Sequence, residues 1–143
     1  MTTTTPRVTI GVPVYNGQNY LVATMESLLA QTYTDFEIVI SDNASTDRTE
    51  AICCEFVARD KRVRYFRNDE NIGASANYNR VFELARGEYF KWAAHDDLLA
   101  PTYLARCVDV LDAHPDVVLA YPQAKAINNK GEVVKIYPGK QHF

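Results

Sequence analysis

Apolar, β-branched runs alternate along the chain with stretches whose apolar residues recur every three to four positions, the pattern of βαβ units around a mainly parallel sheet. Val8 to Val12 reads as the first strand, closed by Pro13 because a proline cannot donate to a central ladder. Leu21, Met25, Leu28 and Leu29 mark one face of a helix ending near Gln31. Phe36 to Ser41 is the second strand, its Ile38-Val39-Ile40 run suited to burial on both faces. Asp47 to Glu50 resembles a capping box, and the helix it opens runs to about Arg59. Val63 to Phe66 follows as a short third strand. The helix after Gly73 presents Tyr78, Val81, Phe82 and Ala85 on one face and stops at Gly87, in a C′ position. Tyr89 to Ala94 is the fourth strand, with Trp92 expected in the core. Leu104, Cys107, Val108 and Leu111 form the buried stripe of a helix whose first turn accepts Pro101. Val117 to Tyr121 reads as another strand, and Asn128 to Gly131 as the turn of a hairpin.

A chain of 143 residues fits one domain, and 47% hydrophobic with 23% charged residues is the composition of a folded globular protein. The net charge of −3, from 15 basic and 18 acidic residues, offers no basic field for nucleic acid. Cys53, Cys54 and Cys107 have neither metal-ligand nor redox-motif spacing and read as buried, reduced thiols of a cytosolic protein. The first residues contain no apolar signal core, and no run approaches the length of a membrane span.

In an open α/β sheet, ligands bind beyond the carboxyl ends of the strands. Those ends are followed here by Pro13 to Asn16, Asp42 to Ser45, Asn68 to Gly73, and His95-Asp96-Asp97. Adjacent carboxylates after a buried strand are costly unless a positive charge lies beside them, so Asp96-Asp97 suits a divalent cation that takes hard oxygen ligands. The same pair also suits capping of the next helix. Asp42 is equally a turn residue or an acceptor for a base or ribose, and Gly73 answers either to a positive φ or to a close ligand. His95, alone in a polar loop, is assigned no chemistry.

The segments Val8-Thr9-Ile10-Gly11-Val12-Pro13-Val14-Tyr15-Asn16, Ser27 to Tyr33, Phe36 to Asp47, Asn71-Ile72-Gly73-Ala74 with Asn79, and Ala85-Arg86-Gly87-Glu88-Tyr89 together resemble family-2 glycosyltransferases of the GT-A fold, from Val8 to about Tyr137. The resemblance implies an α/β, Rossmann-like three-layer sandwich with a mainly parallel sheet. It makes residues 1–143 a single donor-binding domain without the acceptor-binding C-terminal portion. The activity implied is metal-dependent, inverting transfer of a sugar from a nucleotide diphosphate sugar, most often a UDP-sugar, to a carbohydrate or lipid-linked acceptor, as in cell-surface polysaccharide synthesis. Pro13, Tyr15, Asn16, Gly73 and Asn79 would line the nucleotide pocket, and Asp42 would bond the base. Asp96 would face the ribose or sugar, and Asp97 would reach an Mn²⁺ or Mg²⁺ ion bridging the diphosphate. The chain would work in the cytoplasm or at the inner face of the membrane. Two positions depart from the family pattern: Ala94 stands where an Asp-x-Asp-Asp run has its first aspartate, and Tyr78 where an arginine often precedes the helix asparagine. Asp116 and Glu132, the carboxylates after the fourth helix, are not placed as a general base, so none is assigned.

Two other readings fit the pattern. A phospho-receiver domain also clusters aspartates at strand ends, but the chain lacks that layout of phospho-acceptor and lysine. A non-catalytic nucleotide-sugar-binding module, a fragment or degenerate relative, is the other, since family members need an acceptor-binding half and the chain stops at Phe143 soon after the expected donor elements. On the transferase reading, Asp42→Ala is expected to weaken nucleotide binding and leave the fold intact.

Overall fold

The computed structural model describes residues 5–137, in two compact units that meet in sequence between Pro101 and Thr102. In the first unit the order is β1 (Val8–Val14), α1 (Leu21–Leu29), β2 (Phe36–Asp42), α2 (Thr49–Arg59), β3 (Val63–Arg67), α3 (Ala74–Glu83) and β4 (Tyr89–Trp92). The second contains α4 (Tyr103–Ala113) and a hairpin of β5 (Lys125–Ile127) and β6 (Val133–Ile136). The four-stranded sheet is parallel throughout, in the order β3-β2-β1-β4. α3 covers one face and α1 with α2 the other, a three-layer arrangement.

Every residue of β1 and β2 is buried, as both-face coverage requires. Ile10, Val12, Ile38, Val39 and Ile40 form the centre, with Leu21, Met25 and Leu28 of α1 and Val81 of α3 beside them, all without exposed surface.

β1 runs on through Pro13 instead of ending there. Val8 N donates to Asp35 O and Asn43 N to Val14 O, so the even residues of β1 bond towards β2. Tyr89 N donates to Arg7 O and Ala93 N to Gly11 O, so the odd residues bond towards β4. Pro13 is odd, and its missing N–H therefore stops only the β4 ladder. Pairing with β4 ends at Gly11–Trp92, whereas pairing with β2 continues to Val14–Asp42.

Several side chains lie elsewhere than the periodicity suggests. α3 buries Asn77 and Val81, while Tyr78 is 40% and Phe82 53% exposed. Phe82, Phe90 and Trp92 make an edge-to-face cluster at the rim, with Phe90 centred 5.0 Å from Phe82 and 4.8 Å from Trp92, so Trp92 is half-exposed and not core. Gly87 is not a helix terminator. Its N–H donates to Thr9 Oγ1 at 2.8 Å, and a Cβ there would lie 2.6 Å from Thr9 N, so the residue is dictated by close approach to β1. Val117 to Tyr121 forms no strand; Val118, Leu119 and Tyr121 are largely exposed. The hairpin around Asn128 to Gly131 forms as expected, with Asn128 Oδ1 accepting from Lys130 N and Glu132 N. Cys53 is buried, which pushes its thiol up to about 12, but Cys54 is exposed and Cys107 half-buried; none of the three is in a disulfide.

Beneath the N-terminal half of the sheet, the buried Glu37 carboxylate accepts from Thr9 Oγ1, from Arg86 through its backbone N–H and guanidinium, and from Arg64. Burial alone would raise its pKa, but the bonds from Arg86, Thr9 and Arg64 prevail and hold it below the ordinary carboxylate value. A depressed folded pKa means stabilisation that is complete above the unfolded value and is lost as pH falls through the folded one. Glu37→Gln is therefore expected to lower stability at pH 7 by about 2 kcal/mol in urea denaturation. The gap to the parent should narrow progressively below about pH 4; a gap constant down to pH 2 would show that the charge contributes nothing.

Candidate functional site

The sheet order makes β1 the point at which the chain turns from building towards β3 to building towards β4. At such a switch point the connections leave the strand ends in opposite directions and open a crevice. Pro13 widens it, because the β1–β4 ladder stops three residues before β1 does. Two loops flank this opening: residues 15–20 after β1 and residues 93–97 after β4.

The first loop is stitched to the one following β2. Asn16, in the left-handed region at φ 51°, accepts from Thr46 N through Oδ1 at 2.8 Å and donates its own N–H to Ser45 Oγ at 2.9 Å. Gly17 N donates to Thr49 Oγ1 at 2.8 Å, and Gln18 N to Asp47 Oδ2 at 3.2 Å. Asp47 also accepts from Thr49 N, which satisfies an open donor of α2. Tyr15 is left half-exposed and Asn16 exposed at the mouth, while Pro13 is buried beneath.

α1 clamps the second loop. Thr24 Oγ1 donates to His95 O at 2.8 Å, Leu99 N donates to Ser27 Oγ, and Gln31 Nε2 donates to Ala100 O. The His95 ring packs against Gly17, where a Cβ would come within 2.9 Å of it, so the two loops touch. His95 thus has a structural task that spacing could not reveal. Asp96 and Asp97, in a turn closed by Asp97 N to Ala94 O, are exposed and have no ion pair or side-chain hydrogen bond among the described residues. Neither caps α4, whose N-terminal Thr102 carries no side-chain cap.

Asp42 behaves differently from expectation. Its side chain has no exposed surface: Oδ1 accepts from Ser45 N at 2.9 Å, and Oδ2 accepts from Tyr65 Oη at 2.7 Å and Arg67 Nη1 at 2.8 Å. The carboxylate holds the Asn43–Thr46 turn, in which Ala44 takes φ 60°. Burial and the Asp42 charge push the Tyr65 phenol up.

The loop after β3 is held by a network of amides that no periodicity announces. Asn43 Oδ1 accepts from Asn68 Nδ2 and Ile72 N, Asn43 Nδ2 donates to Asn71 Oδ1, and Asn77 exchanges two hydrogen bonds with Ser41. Asn77, not Asn79, is the buried asparagine of α3; Asn79 faces solvent. Gly73 has φ 85° and nothing within 4 Å of a notional Cβ, so its backbone angle accounts for it.

Among the described residues no group of three or more His, Cys, Asp or Glu could hold a metal by itself. Two free carboxylates nevertheless suit Mg²⁺ or Mn²⁺, which take one or two protein carboxylates together with substrate phosphates. No described helix is long and apolar enough to cross a membrane.

A parallel three-layer α/β unit with an acidic turn at its switch point is the frame of the nucleotide-sugar glycosyltransferases of GT-A type. Solved structures agree: TarS of S. aureus, residues 1–349 in complex with UDP-GlcNAc, matches with a TM-score of 0.71 and 26% identity over 76% of this chain and 32% of its own. A mannosyltransferase of Pyrobaculum calidifontis in complex with GDP-Man and Mn²⁺ matches with a TM-score of 0.69 and 28% identity over 76% of this chain and 33% of its own. The model of glycosyl transferase family 2 matches residues 9–140, and the chain belongs to that family. A glycosyltransferase of Rickettsia typhi is 36% identical over 77% of this chain and 33% of its own length. Chondroitin synthase of Escherichia coli is 34% identical over 90% of this chain and 19% of its own. The chain thus spans a third or less of these relatives.

Because Asp42 joins Ser45, Tyr65 and Arg67, Asp42→Asn is expected to cost about 1.5 kcal/mol of stability, the scale of one hydrogen bond to a charged group. Thermal unfolding of Asp42→Asn checks it: a midpoint equal to that of the parent would show that these bonds contribute nothing to the fold.

Proposed function

We propose that this chain is the donor-binding part of a glycosyltransferase that takes a nucleoside diphosphate sugar, of the UDP type, with a divalent metal, and transfers the sugar with inversion. The observation that carries the reading is the exposed, unpaired Asp96-Asp97 pair beside the opening that Pro13 leaves between β1 and β4. The complexes of the solved relatives with UDP-GlcNAc, and with GDP-Man and Mn²⁺, support it.

On this reading Asp97 holds Mn²⁺ or Mg²⁺ and Asp96 lies towards the ribose or sugar. Tyr15 and Asn16 line the nucleotide, while Pro13 keeps the crevice open beneath it. When bound, the metal supplies Lewis acidity that offsets charge developing on the departing diphosphate. α1 keeps the two carboxylates in place through Thr24, Ser27 and Gln31, so little reorganisation is needed as that charge develops. Asp42 contributes by fixing the turn against which Asn16 is bonded. Gly73 and the exposed Asn79 belong to the wall formed by the β3–α3 loop and α3.

Inversion needs a base at the acceptor hydroxyl, worth about 10²–10⁴-fold in rate. Glu132 accepts a hydrogen bond from Asn128 within the hairpin, and Asp116 is exposed beyond α4. Neither is assigned as base, so these 143 residues are expected to bind donor and transfer little sugar. The acceptor is a carbohydrate or lipid-linked molecule, and the work place the cytoplasm or the inner membrane face.

Calorimetry with UDP in Mn²⁺ and in chelator tests the proposal. Binding should be stronger in Mn²⁺, and Asp97→Asn should remove the difference without lowering the unfolding temperature. Equal affinity in both buffers would dismiss the metal, and efficient multiple-turnover transfer by the chain would dismiss the missing base.

A further inference from the structure

Asp96 and Asp97 sit in a turn with few ties to the rest of its unit. Ala93 N donates to Gly11 O at 2.8 Å and fixes the turn at one end, and Leu99 N, bonded to Ser27 Oγ, fixes it at the other. Between them, among the described residues, the hydrogen bond from Asp97 N to Ala94 O stays inside the turn, and only that from Thr24 Oγ1 to His95 O leaves it. The setting of residues 94–98 therefore depends on His95.

The His95 side chain adds a second tie, made by packing. Its half-buried ring lies against Gly17, where a Cβ would come 2.9 Å from His95 Cδ2 and 2.7 Å from Val14 Cγ2. Gly17 has no positive φ, so its backbone angle does not ask for glycine; the approach of the ring and of Val14 does. The surface on which the ring rests is itself fixed. Gly17 N donates to Thr49 Oγ1, and Gly17 O accepts from Tyr20 N at 3.1 Å and Leu21 N at 3.0 Å where α1 begins. The imidazole nitrogens make no hydrogen bond among the described residues, so the ring acts here by its shape. The two loops are unequal partners in this contact. Residues 16–18 keep their place through Ser45, Thr46, Thr49 and Asp47 without help from His95, whereas the acidic turn leans on it.

We propose that His95 is a positioning residue: packed on Gly17, it holds Asp96-Asp97 at a fixed setting against the loop that bears Tyr15 and Asn16, so that a metal on the turn and the diphosphate of a nucleotide at the loop meet without further adjustment. Such constellations work only when held to within about 0.5 Å, and an exposed acidic turn without its packed ring lacks that precision. The consequence is a coupling that His95 sets. Mn²⁺ strengthens nucleotide binding, and the nucleotide strengthens Mn²⁺ binding by the same factor, to the extent that the turn is held. The inference rests on the donor-and-metal reading above and adds the residue that decides how far the two ligands help each other.

Calorimetry with UDP in Mn²⁺ and in chelator, on the parent chain, His95→Ala and His95→Phe, tests it, together with the unfolding temperature of each. Loss of the ring in His95→Ala is expected to weaken UDP binding in Mn²⁺ about tenfold, a coupling of ordinary size. Affinity in chelator and the unfolding temperature should stay as in the parent. His95→Phe, which keeps a flat ring and loses both nitrogens, should restore most of the Mn²⁺ effect. Unchanged affinity of His95→Ala in Mn²⁺ would overturn the proposal while leaving the donor site standing. Equal losses in both buffers, or a clearly lowered unfolding temperature, would overturn it too, by making His95 a support of the fold. A His95→Phe as weak as His95→Ala would do the same, because the nitrogens and not the packing would then be at work. A parent chain with equal UDP affinity in both buffers, or with none in either, would remove the metal or the donor reading itself and the coupling with it.

Discussion

The missing N–H of Pro13 is a small constraint on which the geometry of this site depends. In a parallel strand successive residues bond to opposite neighbours, so one proline can end one ladder and spare the other. Here it spares β2, which needs β1 as far as Val14 to hold the turn after Asp42, and ends β4, whose chain is released to form the acidic turn. The switch point of the sheet is thereby opened by chemistry built into its central strand.

Around that opening the polar groups divide into those spent on structure and those left free. Asp42, Asp47, Ser45, Thr49, Asn43, Asn68, Asn71 and Asn77 are engaged with one another or with backbone, and most of them are buried. Asp96, Asp97 and Arg80 are not so engaged. Asp96 and Asp97 are exposed, so a cation can take their oxygens without breaking any contact of the fold. The network also keeps the free groups still, since the loops that bear them are tied to α1, to β2 or to each other.

The four central strands and four helices were legible because both-face burial writes continuous apolar runs and one-face burial writes a helical period. Val117 to Tyr121 carries such a run but gains no partner strand among the described residues, and pairing is what local composition cannot encode. The face of α3 was misjudged because a short helix buried by hydrogen bonds, through Asn77, looks polar where it is most enclosed, while the aromatic Tyr78 and Phe82 sit at the rim. The acidic pair was visible in sequence as an electrostatic oddity. The task of Asp42 was not, because its partners Tyr65 and Arg67 are more than twenty residues away and meet it only through strand register.

Paramagnetic broadening of backbone amide resonances by Mn²⁺ in the presence of UDP tests the central claim, a metal-and-diphosphate site in the crevice between β1 and β4. The account predicts broadening centred on residues 94–97 and extending to Tyr15 and Asn16, with the Glu37 cluster at the opposite edge unaffected. Broadening that avoids the acidic turn, or that is the same with and without the nucleotide and spread over the acidic surface, would contradict it.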